Sequence, residues 1–193
     1  MSRTVVVMLK EPRPGRVKTR LGCEIGMGPA ARWFRLQALS LLRRIRDPRW
    51  NVVLAVTPDR EGLQSRLWPV DLPRIPQGYG DLGARMTRAL RAAAPGPVSV
   101  IGADVPGLGT PQIAAAFAAL GNHHAVFGPA SDGGFWLVGL KHPLQAPKGL
   151  FRGVRWSTEH ALTDSRATLG SLTVAQIETL HDVDTAADLR RIG

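Results

Sequence analysis

The chain opens with an unbroken apolar run, VVVML at 5–9, in which no polar residue alternates with the apolar ones. A strand of that composition has no face to give to water, so it belongs inside a sheet covered on both sides. Runs of the same kind return in NVVLAVT at 51–57, VSVIGAD at 98–104, HAVFGPA at 124–130 and FWLVGL at 135–140. LTVAQI at 172–177 reads as a further strand, and PRIPQ at 73–77 as a short one whose prolines keep it near an edge.

Helical periods separate these runs. Ala31, Phe34, Ala38, Leu41, Leu42 and Ile45 recur at helical spacing within 29–45, and arginines mostly take the other faces. Asp81 is placed to cap a helix whose apolar face is Leu82, Met86, Ala89 and Leu90. Thr110 as N-cap and Pro111 in the first turn start a third helix, with Ile113, Ala116, Phe117 and Leu120 inward and Gly121 as its stop. Ser157 starts another, and Thr185 with Asp188 opens a short terminal one. Alternating strands and helices predict a three-layer α/β/α, Rossmann-like arrangement around a mostly parallel sheet. HAVFGPA and FWLVGL are joined only by SDGG at 131–134, too short for a crossover, so one of them runs antiparallel and the sheet is mixed. Residues 1–193 read as a single domain.

Composition narrows the function classes. The formal charge is +10, and 21 of the 25 cationic residues are Arg. That excess is either arginine spread over a solvated surface or a field that holds an anion. With aromatic residues at 6% and a single Tyr, the stacking platforms of a nucleic-acid binder are poorly supplied. The lone Cys23 excludes an internal disulfide and a multi-cysteine metal knuckle. Five histidines without H-x-x-x-H spacing argue against a zinc hydrolase. No apolar run approaches the roughly 18 residues of a membrane span, and no signal-peptide pattern opens the chain, so the cytoplasm is the expected compartment.

In open α/β sheets, ligands bind beyond the carboxyl ends of the strands. KEPRPGRVKTRLG, at 10–22, follows the first strand and gathers Lys10, Arg13, Arg16, Lys18 and Arg20. It is not a Walker A loop, because Gly15 lies only three residues before Lys18 and residue 17 is Val. Forked guanidinium donors and compact ammonium charges in one loop point to phosphate. Asp104, a lone carboxylate after VSVIGA, is suited to a hard cation such as Mg²⁺. Asp132, in the SDGG turn, and Asp184, in HDVDT, are its candidate partners. Alternation along HDVDT is expected to turn one of Asp182 and Asp184 toward the cleft and the other away. YGDLGARM at 79–86 offers backbone amides at a helix start, and Trp156 a ring that stacks on a ligand or lines a pocket.

KEPRPGRVKTRLG, GDLGARM, IGADVPGL, GPASDGGFWLVGL and HDVDT, in that order, resemble a bacterial family of small glycosyltransferase-like proteins, labelled radical-SAM/selenodomain-associated. That family is related to the nucleotide-diphospho-sugar transferases of the GT-A fold, and the resemblance spans nearly the whole chain. It implies a GT-A-like domain with a nucleotide across the first loop and the Asp104 loop. By this resemblance Lys10, Arg16, Lys18 and Arg20 contact phosphates, and Gln77, Asp81, Leu82 and Gly83 border the nucleoside; Gly15, within the same loop, is taken as nucleotide-binding with them. Asp104 holds the metal, Mg²⁺ or Mn²⁺, and Asp132 with Gly133 faces the acceptor or completes the metal shell. From the chain's own residues, Asp184 is the other candidate second ligand, Asp132 is the nominated catalytic base, and Gly134 and Trp156 belong to the substrate side. The opening KTRL is also distantly similar to the 2-phospho-L-lactate guanylyltransferases.

The leading expectation is glycosyl transfer from a nucleotide-diphospho-sugar to a small-molecule acceptor. The alternatives are nucleotidyl transfer from an NTP to a phosphorylated or acidic small molecule, and non-catalytic binding of a nucleotide or nucleic acid.

Overall fold

A computed structural model describes residues 2–191. In chain order the elements are β1 (Thr4–Lys10), α1 (Thr19–Ile25), α2 (Met27–Arg44), β2 (Asn51–Thr57), α3 (Asp59–Gln64), β3 (Arg74–Pro76) and α4 (Leu82–Ala92). There follow β4 (Val98–Ile101), α5 (Thr110–Asn122), β5 (Ala125–Pro129), β6 (Phe135–Leu140), α6 (Ala161–Ala167), β7 (Val174–Gln176) and α7 (Ala186–Arg191). The strands form one seven-stranded sheet in the order β3-β2-β1-β4-β6-β5-β7.

The apolar run of β1 is central, as its composition demands. Val6 pairs in parallel with Val53 of β2 on one side and with Val100 of β4 on the other. Val5, Val7 and Leu9 face one layer, where Phe34, Ala38, Leu41 and Leu42 of α2 and Ile113, Ala116 and Phe117 of α5 cover them. Val6 faces the opposite layer, with Met86, Ala89 and Leu90 of α4 and Ala161 of α6. Alternate residues of one strand thus enter two cores, each buried Val or Leu contributing roughly 1.5–3 kcal/mol. The antiparallel member is β6, which pairs with β4 and with β5 and makes the sheet mixed.

Four local expectations are corrected. The basic stretch is not loop throughout, because α1 begins at Thr19 and buries Leu21 against Ala30 and Val183. Gly109, not Thr110, caps α5: its N–H donates to Gln112 Oε1 (3.0 Å), while the Thr110 hydroxyl donates to the Arg44 carbonyl (2.8 Å). Gly121 does not stop α5, which runs on to Asn122. Ser157 does not start a helix; it sits in a turn at φ 60°, and α6 begins at Ala161.

Between β1 and β4 the chain reverses its direction of travel across the sheet, which leaves a crevice at their carboxyl ends. Because β6 is antiparallel, the Ser131–Gly134 turn arrives at the same end. The segment after β7 joins it there through a bridge between Ala130 and Leu180.

Candidate functional site

Three carboxylates meet at this crevice. One oxygen from each of Asp104, Asp182 and Asp184 lies within 4.8 Å of the others. Asp104 comes from the loop after β4, and its backbone carbonyl accepts from the Val183 N–H (3.4 Å). Val183 is the inward anchor of its segment, packed on Leu21 and Ala30. Asp182 and Asp184, on either side of it, both reach the cluster. The expectation that one of them faces away is corrected, since residues two apart in extended chain share a side. Beyond them, Asp188 Oδ2 accepts from the N–H groups of Asp184 (3.2 Å) and Thr185 (2.9 Å), which fixes the segment at the start of α7.

Into this cluster the basic loop sends one lysine. Lys18 Nζ lies 2.6 Å from Asp104 Oδ2 and 2.7 Å from Asp184 Oδ1, and its side chain is only 7% exposed. The residue immediately precedes α1 in a left-handed conformation (φ 45°, ψ 49°). Burial opposes its charge, yet Asp104 and Asp184 outweigh burial and raise its pKa above that of an ordinary lysine. Arg20 reaches Asp184 Oδ2 from outside (3.2 Å) and is largely exposed. Asp182 is pushed up to about 6, first by burial and then by the charges of Asp104 and Asp184. Burial and the neighbouring carboxylates both disfavour its charged form, and Lys18 opposes them only in part.

Two chambers open from the cluster and share Asp104 and Asp184 as their common wall. One, of about 330 Å³, is lined by Lys10, Arg16, Lys18, Thr19 and Arg20 over Val17 and Phe34. Gly15, at φ 75°, provides the left-handed turn that brings Arg16 round to it. Arg13 leaves the group, pairing with Glu61 of α3 at 3.0 Å. The other chamber, of about 360 Å³, is lined by Met8, Leu82, Met86, Phe135, Trp136 and Trp156 together with Asp104, Asp132, Asp182 and Asp184. Among the described residues no Lys, Arg or His lines it.

The remaining candidates are placed as follows. Asp132 lies on the apolar chamber, its Oδ1 accepting from Gly134 N (2.9 Å), and Gly134 lines the same wall. Gly133 makes the turn at φ 85°. Trp156 stands edge-on to Phe135 and Phe151, with centroids 6.2 and 6.0 Å away. Of the four residues taken to border a nucleoside, only Leu82 lines either chamber. Gln77 is buried, its amide donating to the carbonyls of Leu9 (3.0 Å) and Ala55 (2.8 Å), where it braces β1 and β2. Asp81 caps α4 by accepting from Ala84 N (2.8 Å). Gly83 is there for packing, since a Cβ on it would lie 2.6 Å from Phe151 Cβ and 2.9 Å from Trp156.

A mixed sheet with a basic chamber and a carboxylate cluster at its switch point belongs to the nucleotide-diphospho-sugar transferase-like fold. A protein of Desulfovibrio desulfuricans G20, provisionally named a nucleotide-diphospho-sugar transferase, superposes with a TM-score of 0.86 at 28% identity, over 100% of this chain and 87% of its own. The chain belongs to a bacterial family described as "uncharacterized protein conserved in bacteria" (DUF2064), whose model matches residues 41–158. Two more distant structures share the fold. Rv0371c of Mycobacterium tuberculosis H37Rv, in complex with manganese, has a TM-score of 0.57 at 15% identity, over 100% of this chain and 98% of its own. A CMP:2-keto-3-deoxy-manno-octonic acid synthetase complexed with CTP has a TM-score of 0.60 at 10% identity, over 100% and 97%. No curated protein matches the chain in sequence. The protein thus has the nucleotide-diphospho-sugar transferase-like fold, and among its described residues no helix is long and apolar enough to cross a membrane.

Proposed function

We propose that the protein transfers a glycosyl group from a nucleotide-diphospho-sugar to an uncharged small-molecule acceptor, with a divalent cation at the Asp104 cluster. The observation that carries this reading is the charge asymmetry of the two chambers across one carboxylate wall. Lys10, Arg16, Lys18 and Arg20 on one side are suited to the diphosphate of the donor. On the other side, aspartates and apolar rings without a cation disfavour a phosphorylated acceptor and accommodate a neutral one. Asp104 and Asp184, with Asp182 beside them, are hard oxygen ligands suited to Mg²⁺ or Mn²⁺. A cation held there would act as a Lewis acid toward charge developing on the leaving diphosphate.

The chain's own residues have separable tasks in this reading. The basic loop orients the diphosphate and carries its charge. Asp132, the wall aspartate that stands outside the carboxylate cluster, is the base for the acceptor hydroxyl. Phe135, Trp136 and Trp156 exclude water from the acceptor and give it a ring surface. Leu82, at the mouth, borders the nucleoside.

Product analysis tests the reading. Nucleotide-sugars incubated with the protein and Mg²⁺ or Mn²⁺ should yield free NDP. Release of pyrophosphate from an NTP, with no turnover of nucleotide-sugars, would replace glycosyl by nucleotidyl transfer. A thermal-shift screen of both ligand classes, with and without metal, would identify the base, since ligands of the native state raise its apparent stability.

A further inference from the structure

We infer that Lys18 is an exchangeable internal counter-ion: its ammonium occupies the place between Asp104 and Asp184 that a divalent cation takes over, and the displaced ammonium turns to phosphate in the basic chamber. The inference rests on the metal assignment of the proposed function and concerns how the cation enters.

The geometry gives Lys18 two faces. Its Nζ is within 2.7 Å of both carboxylates, yet its side chain also lines the chamber of Lys10, Arg16 and Arg20. Asp104 and Asp184 remain 31% and 35% exposed, so an ion can reach the oxygens that the buried ammonium bridges. An ammonium and a divalent cation cannot both sit against the same pair of oxygens, because like charges about 4 Å apart repel strongly in a partly buried site. Lysine suits the exchange: it is a compact charge on a flexible stem, with no planar fork to hold it to a carboxylate. Its backbone stays anchored at the head of α1, so only side-chain torsions are needed to move Nζ from one wall to the other.

The exchange couples the two ligands. In the metal-free protein, Lys18 removed from the carboxylates would join Lys10, Arg16 and Arg20, and mutual repulsion opposes that move. Phosphate in the chamber cancels the repulsion, so it eases metal entry. By linkage the metal tightens phosphate binding by the same factor. Arg20 touches only Asp184, from a largely exposed position, and its removal should alter metal binding far less.

The test is calorimetry of MnCl₂ binding to wild type, Lys18→Met and Arg20→Ala, with no nucleotide present. Exchange predicts that Lys18→Met binds Mn²⁺ more tightly than wild type, by about fivefold or more, with Arg20→Ala close to wild type. Equal or weaker binding by Lys18→Met overturns the exchange and makes Lys18 a fixed brace, while the metal assignment stands. Absence of Mn²⁺ binding in all three proteins overturns the metal assignment itself. A second measurement needs no variant. The chain has four lysines, so the protected Lys18 ammonium is readily assigned in nitrogen-15 spectra of the wild type. Titration with Mg²⁺ should remove its protection from solvent exchange, and persistence of that resonance at metal saturation overturns the proposal.

Discussion

The two chambers share a wall and differ in everything else. Apart from that wall and Phe34 of α2, the basic one is made by a single stretch of chain, residues 10–20. The apolar one is assembled from β1, α4, β4, the turn before β6, the Trp156 loop and the segment after β7. A phosphate-holding surface needs little more than a density of charged donors, which one short stretch of chain supplies. An apolar cavity needs walls that stay apart without collapsing, and only packed elements from several layers provide them. Damage to the first should therefore cost affinity and leave the fold intact, whereas damage to the second should cost stability.

The largest effect is expected at the shared wall. Asp104→Asn should abolish metal-dependent nucleotide binding in calorimetry. Transfer activity should fall by more than the roughly 10–100-fold that the loss of a supporting partner of a metal ligand costs. Unchanged affinity would remove the wall from the metal assignment. Next comes Gly83→Ala, which forces a methyl into Phe151 and Trp156. It should destabilise the protein by about 1–3 kcal/mol in denaturant unfolding, while pyrophosphate binding to the folded protein persists. Loss of both together would erase the distinction between the chambers.

Arg16→Ala tests the opposite direction. Removal of one charged donor should weaken nucleotide-diphosphate binding by about tenfold, and unfolding should shift by less than about 0.5 kcal/mol. The smallest effect is pH-dependent and belongs to the apolar side. Hydrogen bonds from the Arg155 side chain and backbone to Asp164 hold that carboxyl well below its usual range and tie the Trp156 loop to α6. A depressed folded-state pKa stabilises above the unfolded value and is lost as pH falls through the folded one. Asp164→Asn should therefore melt slightly below wild type at neutral pH, with the gap closing below about pH 4. A gap that widens in acid would contradict the sign.

The long elements were legible because burial leaves a local period. β1, β2, β5 and β6 carry continuous apolar runs, β4 carries one broken only by the buried Ser99, and α2, α4 and α5 repeat inward residues over at least two turns. α1 and α3, of 7 and 6 residues, carry too little period to stand out and owe their existence to packing. The mixed sheet followed from the brevity of SDGG, though only the pairing of β6 with β4 and β5 identifies it as the antiparallel strand. The family resemblance sets Gln77 and Gly83 beside a nucleoside, yet the fold ties Gln77 to carbonyls of β1 and β2 and packs Gly83 against Phe151 and Trp156.

By itself the sequence determined the layers, the strand-end position of the site, and a basic loop set against strand-end aspartates. Each of these is written in runs of neighbouring residues, where period and charge density are local quantities. Only the tertiary structure decided that Lys18, among five similar cations in the loop, is the one buried between Asp104 and Asp184, while Arg20 reaches Asp184 alone and from outside. Asp184 lies 166 residues away from Lys18, and that meeting depends on sheet order and on Val183 docking against α1. No period in the chain encodes such a contact; it exists because two cores position two loops at one end of one sheet.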